Sequence, residues 1–176
     1  MKRRMSMALA GLLLAVPAFM SAAEDNRRLT IADDVRHELV MLPWFSVFDN
    51  LEYQVVGGNV ILSGQVIRPT LKTSAENVVK RIEGVEQVTN NIEVLPLSPF
   101  DDRIRLAAYR AIYGYGPLQR YGLNPQAPIR IIVRNGHITL EGIVANEMDR
   151  NLANMRANQV SGVFSVTNDL RVENRG

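Results

Sequence analysis

Cysteine is absent from the 176-residue chain, and histidine occurs only twice, at His37 and His137. Without a thiol there is no disulfide framework, no Cys-ligated metal and no thiol nucleophile. No serine stands in a nucleophile elbow, and the carboxylates are scattered over helix starts and outward strand positions. The short glycine clusters, Gly57-Gly58 and Gly114-Tyr115-Gly116, lack the spacing and the strand–helix context of a phosphate loop. Asp33 or Asp34 with His37 has a metal-ligand spacing on a helix. The simpler account is that acidic residues in a first helical turn complement the helix dipole. His137 follows a turn and reads as a solvated residue. These gaps point away from an enzyme, a cofactor and a bound metal.

Long apolar runs are also scarce, with one exception. Lys2, Arg3 and Arg4 precede an uncharged, mostly apolar stretch from Ala8 to Met20, and Ser21-Ala22-Ala23 follows. That is the layout of a secretory leader cleaved after Ala23. The run is shorter than the about 20 residues that cross a bilayer. No cysteine follows the cleavage point to carry a lipid, so a soluble periplasmic or exported protein is expected. Three of the 20 Lys+Arg lie in the leader, leaving 17 against 18 Asp+Glu in the remainder. A net charge near −1 gives no support to nucleic-acid binding, which needs a basic patch on the folded domain.

What is present is a repeat. Displacing the chain by 78 residues lays Val55–Val94 on Val133–Val172 without a gap, and twelve of the 40 positions are identical. They include Gly58, Leu62, Gly64, Val66, Ala75, Gly84, Thr89, Asn90 and Val94. Glycines and alternation staying in register over such a length mark a duplication.

Each copy reads as helix, strand, strand, helix, strand. In the first, Thr30 is expected to cap a helix with Asp33 at the capping-box position, Val35, Leu39 and Leu42 forming its apolar stripe and Pro43 helping to stop it. A strand from about Glu52 to Val56 turns through Gly57-Gly58 into Asn59–Val66, where Val60, Leu62 and Val66 share one face. The second copy places Asn135-Gly136 at that turn, a two-residue hairpin signal. Leu71, Ala75, Val78, Val79 and Ile82 line a second helix, and Gly84 and Gly162 fall where a helix ends left-handed. Val88, Asn90, Ile92 and Val94 face inward on the last strand, matched by Val166, Asn168, Leu170 and Val172. An amide in that row must find partners, and tying down a neighbouring backbone turn or sheet edge is the expected use of both. The fold class expected is α+β: two tandem αββαβ modules, each a three-stranded mixed sheet with two helices on one face. The expected division is leader 1–23, module 1 over 27–95, a Pro-containing linker at 96–99, and module 2 over 100–174.

Two segments carry this pattern most clearly. One is Gly58-Asn59-Val60-Ile61-Leu62-Ser63-Gly64-Gln65-Val66, with Gly84-Val85-Glu86-Gln87-Val88-Thr89-Asn90 after the amphipathic helix. The other is their second copy from Gly136 to Val144 and Gly162 to Leu170. In these segments the chain resembles the BON domain family (bacterial OsmY and nodulation), as a dual-BON periplasmic protein. The resemblance implies the αββαβ fold in exported bacterial proteins, phospholipid or envelope binding, osmotic-stress protection, and no catalysis. The second copy departs from the pattern in a longer loop, Gly114–Pro128, between its first helix and first strand.

Two aromatic clusters remain. Trp44, Phe45 and Phe48 follow the first helix and are expected to close the end of a small core. Four of the five tyrosines fall between residues 109 and 121. There Tyr113, Tyr115, Leu118, Arg120 and Tyr121 stand with Arg103 and Arg110 of the preceding helix as the candidate lipid- or partner-binding set. Tyrosine with arginine suits a half-apolar, anionic surface. The competing account is an ordered loop packing its rings on the sheet or the other module. The function expected is an exported, non-enzymatic envelope protein contacting a phospholipid membrane or envelope proteins through module 2. A chaperone-like or protein-interaction role in osmotic or envelope stress is the alternative; no nucleic acid and no small-molecule substrate are expected.

Overall fold

The computed structural model describes residues 17–123 and 128–173, so residues 1–16 of the expected leader lie outside it. Helix α1 (Pro17–Val40) opens the described chain. Its start corrects two expectations. Thr30 does not cap: it lies mid-helix, its hydroxyl donating to the Asn26 carbonyl one turn back at 3.0 Å. No Gly or Pro between Ala18 and Leu29 interrupts helical propagation, so the cap-like sequence is overridden. Asp33 and Asp34 are accordingly exposed mid-helix residues rather than first-turn partners of a dipole. Ile31, Val35, Leu39 and Leu42 form the buried stripe.

Strands β1 (Asn50–Val56) and β2 (Asn59–Val66) pair antiparallel, with Gly57 at φ +61° in the turn between them. Helix α2 (Pro69–Val79) then carries the chain back for β3 (Gln87–Asn90) and β4 (Glu93–Val94), both parallel to β2. Gly84 adopts φ +87° after the helix, as does its counterpart Gly162, where side-chain-bearing residues would be strained. Val60, Leu62 and Val66 of β2 meet Leu71, Ala75 and Val79 of α2 and the α1 stripe in one core.

Module 2 repeats this path. Helix α3 (Pro99–Tyr113) leads through a 3₁₀ turn (Gly116–Leu118) and a short helix α4 (Gln119–Gly122). Hairpin β5 (Ile129–Arg134) and β6 (His137–Val144) turns at Asn135 and Gly136, both with positive φ. Helix α5 (Glu147–Asn158) precedes β7 (Ser165–Asn168) and β8 (Arg171–Val172), which run parallel to β6. A separate core fills this module. The fold is thus α+β in two modules, each a mixed sheet whose last strand is broken into two pieces.

The break has the same cause in both copies. Asn91 and Leu95 donate to Leu62 and Val66 of β2, at 2.8 Å each, so the N–H of Ile92 between them points to the open sheet edge. The Asn90 Oδ1 accepts that N–H at 3.2 Å, while its Nδ2 donates to the Lys72 carbonyl and the Glu76 carboxylate of α2, both at 3.0 Å. Asn168 repeats this on the Arg150 carbonyl (3.0 Å) and the Leu170 N–H (3.4 Å). One amide fastens sheet edge to helix and leaves no buried N–H unpaired. The Glu76 carboxylate is held below its usual pKa range by the hydrogen bond from Lys80, then by that from Asn90.

The modules meet along the outer face of β5. Ile131 N–H donates to the Val47 carbonyl at 2.8 Å. Arg130 donates to the Ser46 carbonyl at 3.1 Å and lies 4.5 Å over the Phe45 ring, and its burial lowers its pKa. Glu93 and Arg134 add an ion pair, beside a cleft of about 110 Å³ lined by Gln65, Leu95, Ile132 and Glu141.

Two outcomes follow for stability. Replacing Asn90 or Asn168 by Ala should each destabilise by about 1–3 kcal/mol, the cost of orphaning buried donors and acceptors. In chemical denaturation the two losses should add, because the sites lie in different cores; a variant that unfolds like the parent would remove the role given to the amide. Gly142→Ala should cost more than about 2 kcal/mol, since Gly142 stands at φ +116° and an added Cβ would meet the Pro128 carbonyl oxygen at 1.9 Å. Thermal melting of that variant is the check.

Candidate functional site

Helix α3 is the element on which the predicted site residues converge, and its start is fixed tightly. Ser98 Oγ accepts the Asp101 N–H at 3.1 Å, with Pro99 in the first turn. The fully buried Asp101 carboxylate reaches across to accept the Asn135 and Gly136 N–H groups of the β5–β6 turn, at 2.9 and 2.8 Å. Arg105, also buried, donates to the Val133 carbonyl at 2.7 Å and pairs with Asp102. These bonds lock the inner side of α3 to the sheet and leave Arg103, Leu106 and Arg110 exposed on its outer side.

The seven candidate residues divide accordingly. Tyr113, Leu118 and Tyr121 are buried in the module 2 core. The Tyr113 hydroxyl donates to the Ile129 carbonyl at 2.6 Å and accepts its N–H at 3.2 Å, and burial pushes its pKa far above the ordinary phenol value. The Tyr121 hydroxyl donates to Asp149 at 2.5 Å and accepts the Ala145 N–H at 2.8 Å. Arg120 donates to the Tyr121 hydroxyl at 3.4 Å, which, ahead of its ion pair with Asp149, raises its pKa, and its guanidinium lies over the Tyr121 ring. Tyr115 is half-buried beneath Arg156, whose guanidinium lies 4.9 Å from the ring centre. The rings of the long loop therefore face inward. Only Arg103 and Arg110 of the seven are exposed without an ion pair among the described residues; Arg103 sits 5.9 Å over the Phe100 ring.

What Arg103 and Arg110 share is the outer face of α3, with Leu106 and Tyr109 between them, both exposed. Spacings of three and four residues set Arg103, Leu106 and Arg110 in one row. The periodicity of α3 could have sorted these outward residues from Ile104, Ala108 and Ile112, which are buried.

The loop after α1 behaves differently from expectation. Phe45 and Phe48 are half-buried, Phe45 against the first core and Phe48 against the second. Trp44 closes neither: it is 73% exposed. Its backbone takes φ +69°, a left-handed conformation that turns the chain after Pro43 and throws the indole outward. Such strain costs about 1–3 kcal/mol in a bulky residue. The loop is nonetheless rigid, because the buried Asp49 carboxylate accepts Ser46 N–H (2.9 Å), Ser46 Oγ–H (2.6 Å) and Ile67 N–H (2.8 Å). Sequence reasoning missed Asp49, Ser46 and Arg130. The Ser46-x-x-Asp49 spacing, a capping-type pattern, was the available signal for the first two.

Among the described residues no group of three or more His, Asp or Glu could hold a metal, and no helix is long and apolar enough to span a membrane. The surface depressions are open; one of about 350 Å³ between α1 and α2 is lined by Asp34, Glu38, Arg81 and Glu83 with Val78 and Ile82.

The described chain thus pairs two small α+β modules, with Tyr113 and Tyr121 buried and Arg103 and Arg110 exposed on α3. The BON domain model matches residues 28–96 and 118–174, more than two thirds of the chain, and the protein belongs to the BON domain family. BON domain proteins are in general non-catalytic and envelope-associated, with phospholipid- or envelope-binding roles. A comparison with curated proteins found no match. Among solved structures, the chain is similar to CdsD, a structural protein of the type III secretion system of Chlamydia trachomatis. The identity is 13% and the TM-score 0.32, over 84% of this chain and 95% of that one. The C-terminal domain of CdsD is similar at 14% identity and a TM-score of 0.28, over 80% and 96%. Likeness at that level carries no argument about this protein.

Tyr121→Phe should lower the stability of module 2 by about 1–3 kcal/mol, because Asp149 loses a donor and the Ala145 N–H its acceptor. Thermal melting against the parent is the measurement, and an unchanged transition would refute the structural role assigned to the hydroxyl.

Proposed function

We propose that this is an exported, non-enzymatic binding protein of the bacterial envelope that contacts anionic phospholipid through the outer face of α3. The observation that carries the reading is the row Arg103, Leu106 and Arg110, exposed on a helix whose other side is bonded to its own sheet. Cations flanking an apolar residue match a surface that is phosphate above and acyl chain below. Tyr113, Leu118 and Tyr121 serve this surface by holding α3 and the long loop in place, and Arg120 does so through Asp149. Release after Ala23, modules over 27–95 and 100–174 and a linker at 96–99 belong to the same proposal.

Each arginine near an anionic surface is worth about 1 kcal/mol. Arg103→Ala with Arg110→Ala should therefore weaken co-sedimentation with phosphatidylglycerol vesicles by roughly 25-fold, at low salt. The parent's binding should fall steeply as salt is raised. Failure of the parent to pellet with such vesicles at low salt would end the lipid reading.

A further inference from the structure

We propose that Trp44 is a second anchor on the same bilayer, an interfacial side chain that module 1 inserts beside the α3 surface of module 2. This rests on the lipid reading above and extends it to the other module.

Trp44 is the only tryptophan of the chain, and it is 73% exposed. Its exposure does not come from a loose loop, since three hydrogen bonds to the buried Asp49 hold the segment just behind it. The indole belongs to neither core, where Phe45 and Phe48 supply the ring contacts, and its own contact is with the Arg68 guanidinium. A bulky residue kept at φ +69°, where Gly would sit without strain, is retained against folding and so points to a use outside it.

The chemistry of its surroundings names the occupant. Residues 39–48 carry no charge, and Met41, three residues before Trp44 in the chain, is exposed as well. The next acid along the chain, Asp49, turns inward and is fully buried. The nearest cation is Arg68, whose guanidinium lies 5.1 Å over the indole. An exposed indole in an uncharged stretch, with a guanidinium over its ring, fits the headgroup boundary of an anionic bilayer, where tryptophan concentrates. The loop is also joined to the α3 surface. Phe48 meets Tyr109 edge to face, with ring centres 6.3 Å apart, and Tyr109 lies in the exposed turn that carries Arg110. The contact links the Trp44 loop to the turn of α3 that carries Arg110.

The test uses the emission of Trp44 itself, which the absence of any other tryptophan makes site-specific. The full mature protein is titrated with phosphatidylglycerol-containing vesicles, with and without brominated acyl chains. The expected result is a blue shift on binding and quenching by the bromines. Trp44→Gly should melt no lower than the parent, because glycine relieves the positive φ. It should nonetheless partition about tenfold more weakly, the worth of roughly 60 Å² of ring removed from water. That loss should persist at high salt, unlike the loss from the α3 arginines. If the parent pellets but its emission does not move, or if Trp44→Gly partitions like the parent, the anchor is overturned and the α3 reading stands. If the parent does not pellet, both fall.

Discussion

In each module a single asparagine amide joins the last strand to the second helix, and the layered arrangement depends on it. A three-stranded sheet with a parallel final strand has an open edge whose N–H groups point at nothing. Asn90 and Asn168 answer this by folding the side chain back on the N–H two residues later and reaching a helix carbonyl with the other end. The bond does for the edge what a fourth strand would do, at the cost of interrupting the strand. It also joins the sheet to the helix beside the small apolar interior. That both copies keep the same partners 78 residues apart shows a constraint of the fold rather than of a ligand.

The junction is built on a different principle. A buried carboxylate, Asp49, organises a short loop, and the loop lends its backbone to the free edge of β5. Arg130 completes the join by satisfying the Ser46 carbonyl and stacking on Phe45. The first strand of module 2 thereby gains a backbone partner on its outer edge. The duplication is symmetric within each module and asymmetric between them, and the asymmetry falls where the second copy has Arg130 and Ile132 on its outer sheet face.

Rings and cations are separated in the same spirit. The long loop of module 2 turns Tyr113 and Tyr121 inward, where each hydroxyl finds a donor and an acceptor. The outside includes the Arg103–Arg110 face of α3 on one module and the Trp44 indole, beneath the Arg68 guanidinium, on the other. The proposed binding role rests on those residues, which lie outside both apolar cores.

The repeat, the strand alternation and the turn glycines were legible in the sequence because they are local or periodic. Val60, Leu62 and Val66 must share a face whatever surrounds them, and Asn135-Gly136 favours a hairpin through backbone sterics alone. The start of α1 was not, because Thr30 resembles a cap until the helix on its N-terminal side supplies a carbonyl to bond. The fate of the aromatics was not legible either. Tyr113 and Arg110 differ by three positions, yet one is core and the other surface; helical periodicity separates Arg110 from Ile104, Ala108 and Ile112, but that Tyr113 joins the core depends on its hydroxyl meeting the Ile129 backbone. The same holds for Trp44: sequence makes it hydrophobic, and a left-handed turn held by Asp49 makes it exposed. Composition and spacing determine which residues are able to bury themselves; the three-dimensional register of the elements determines which of them do.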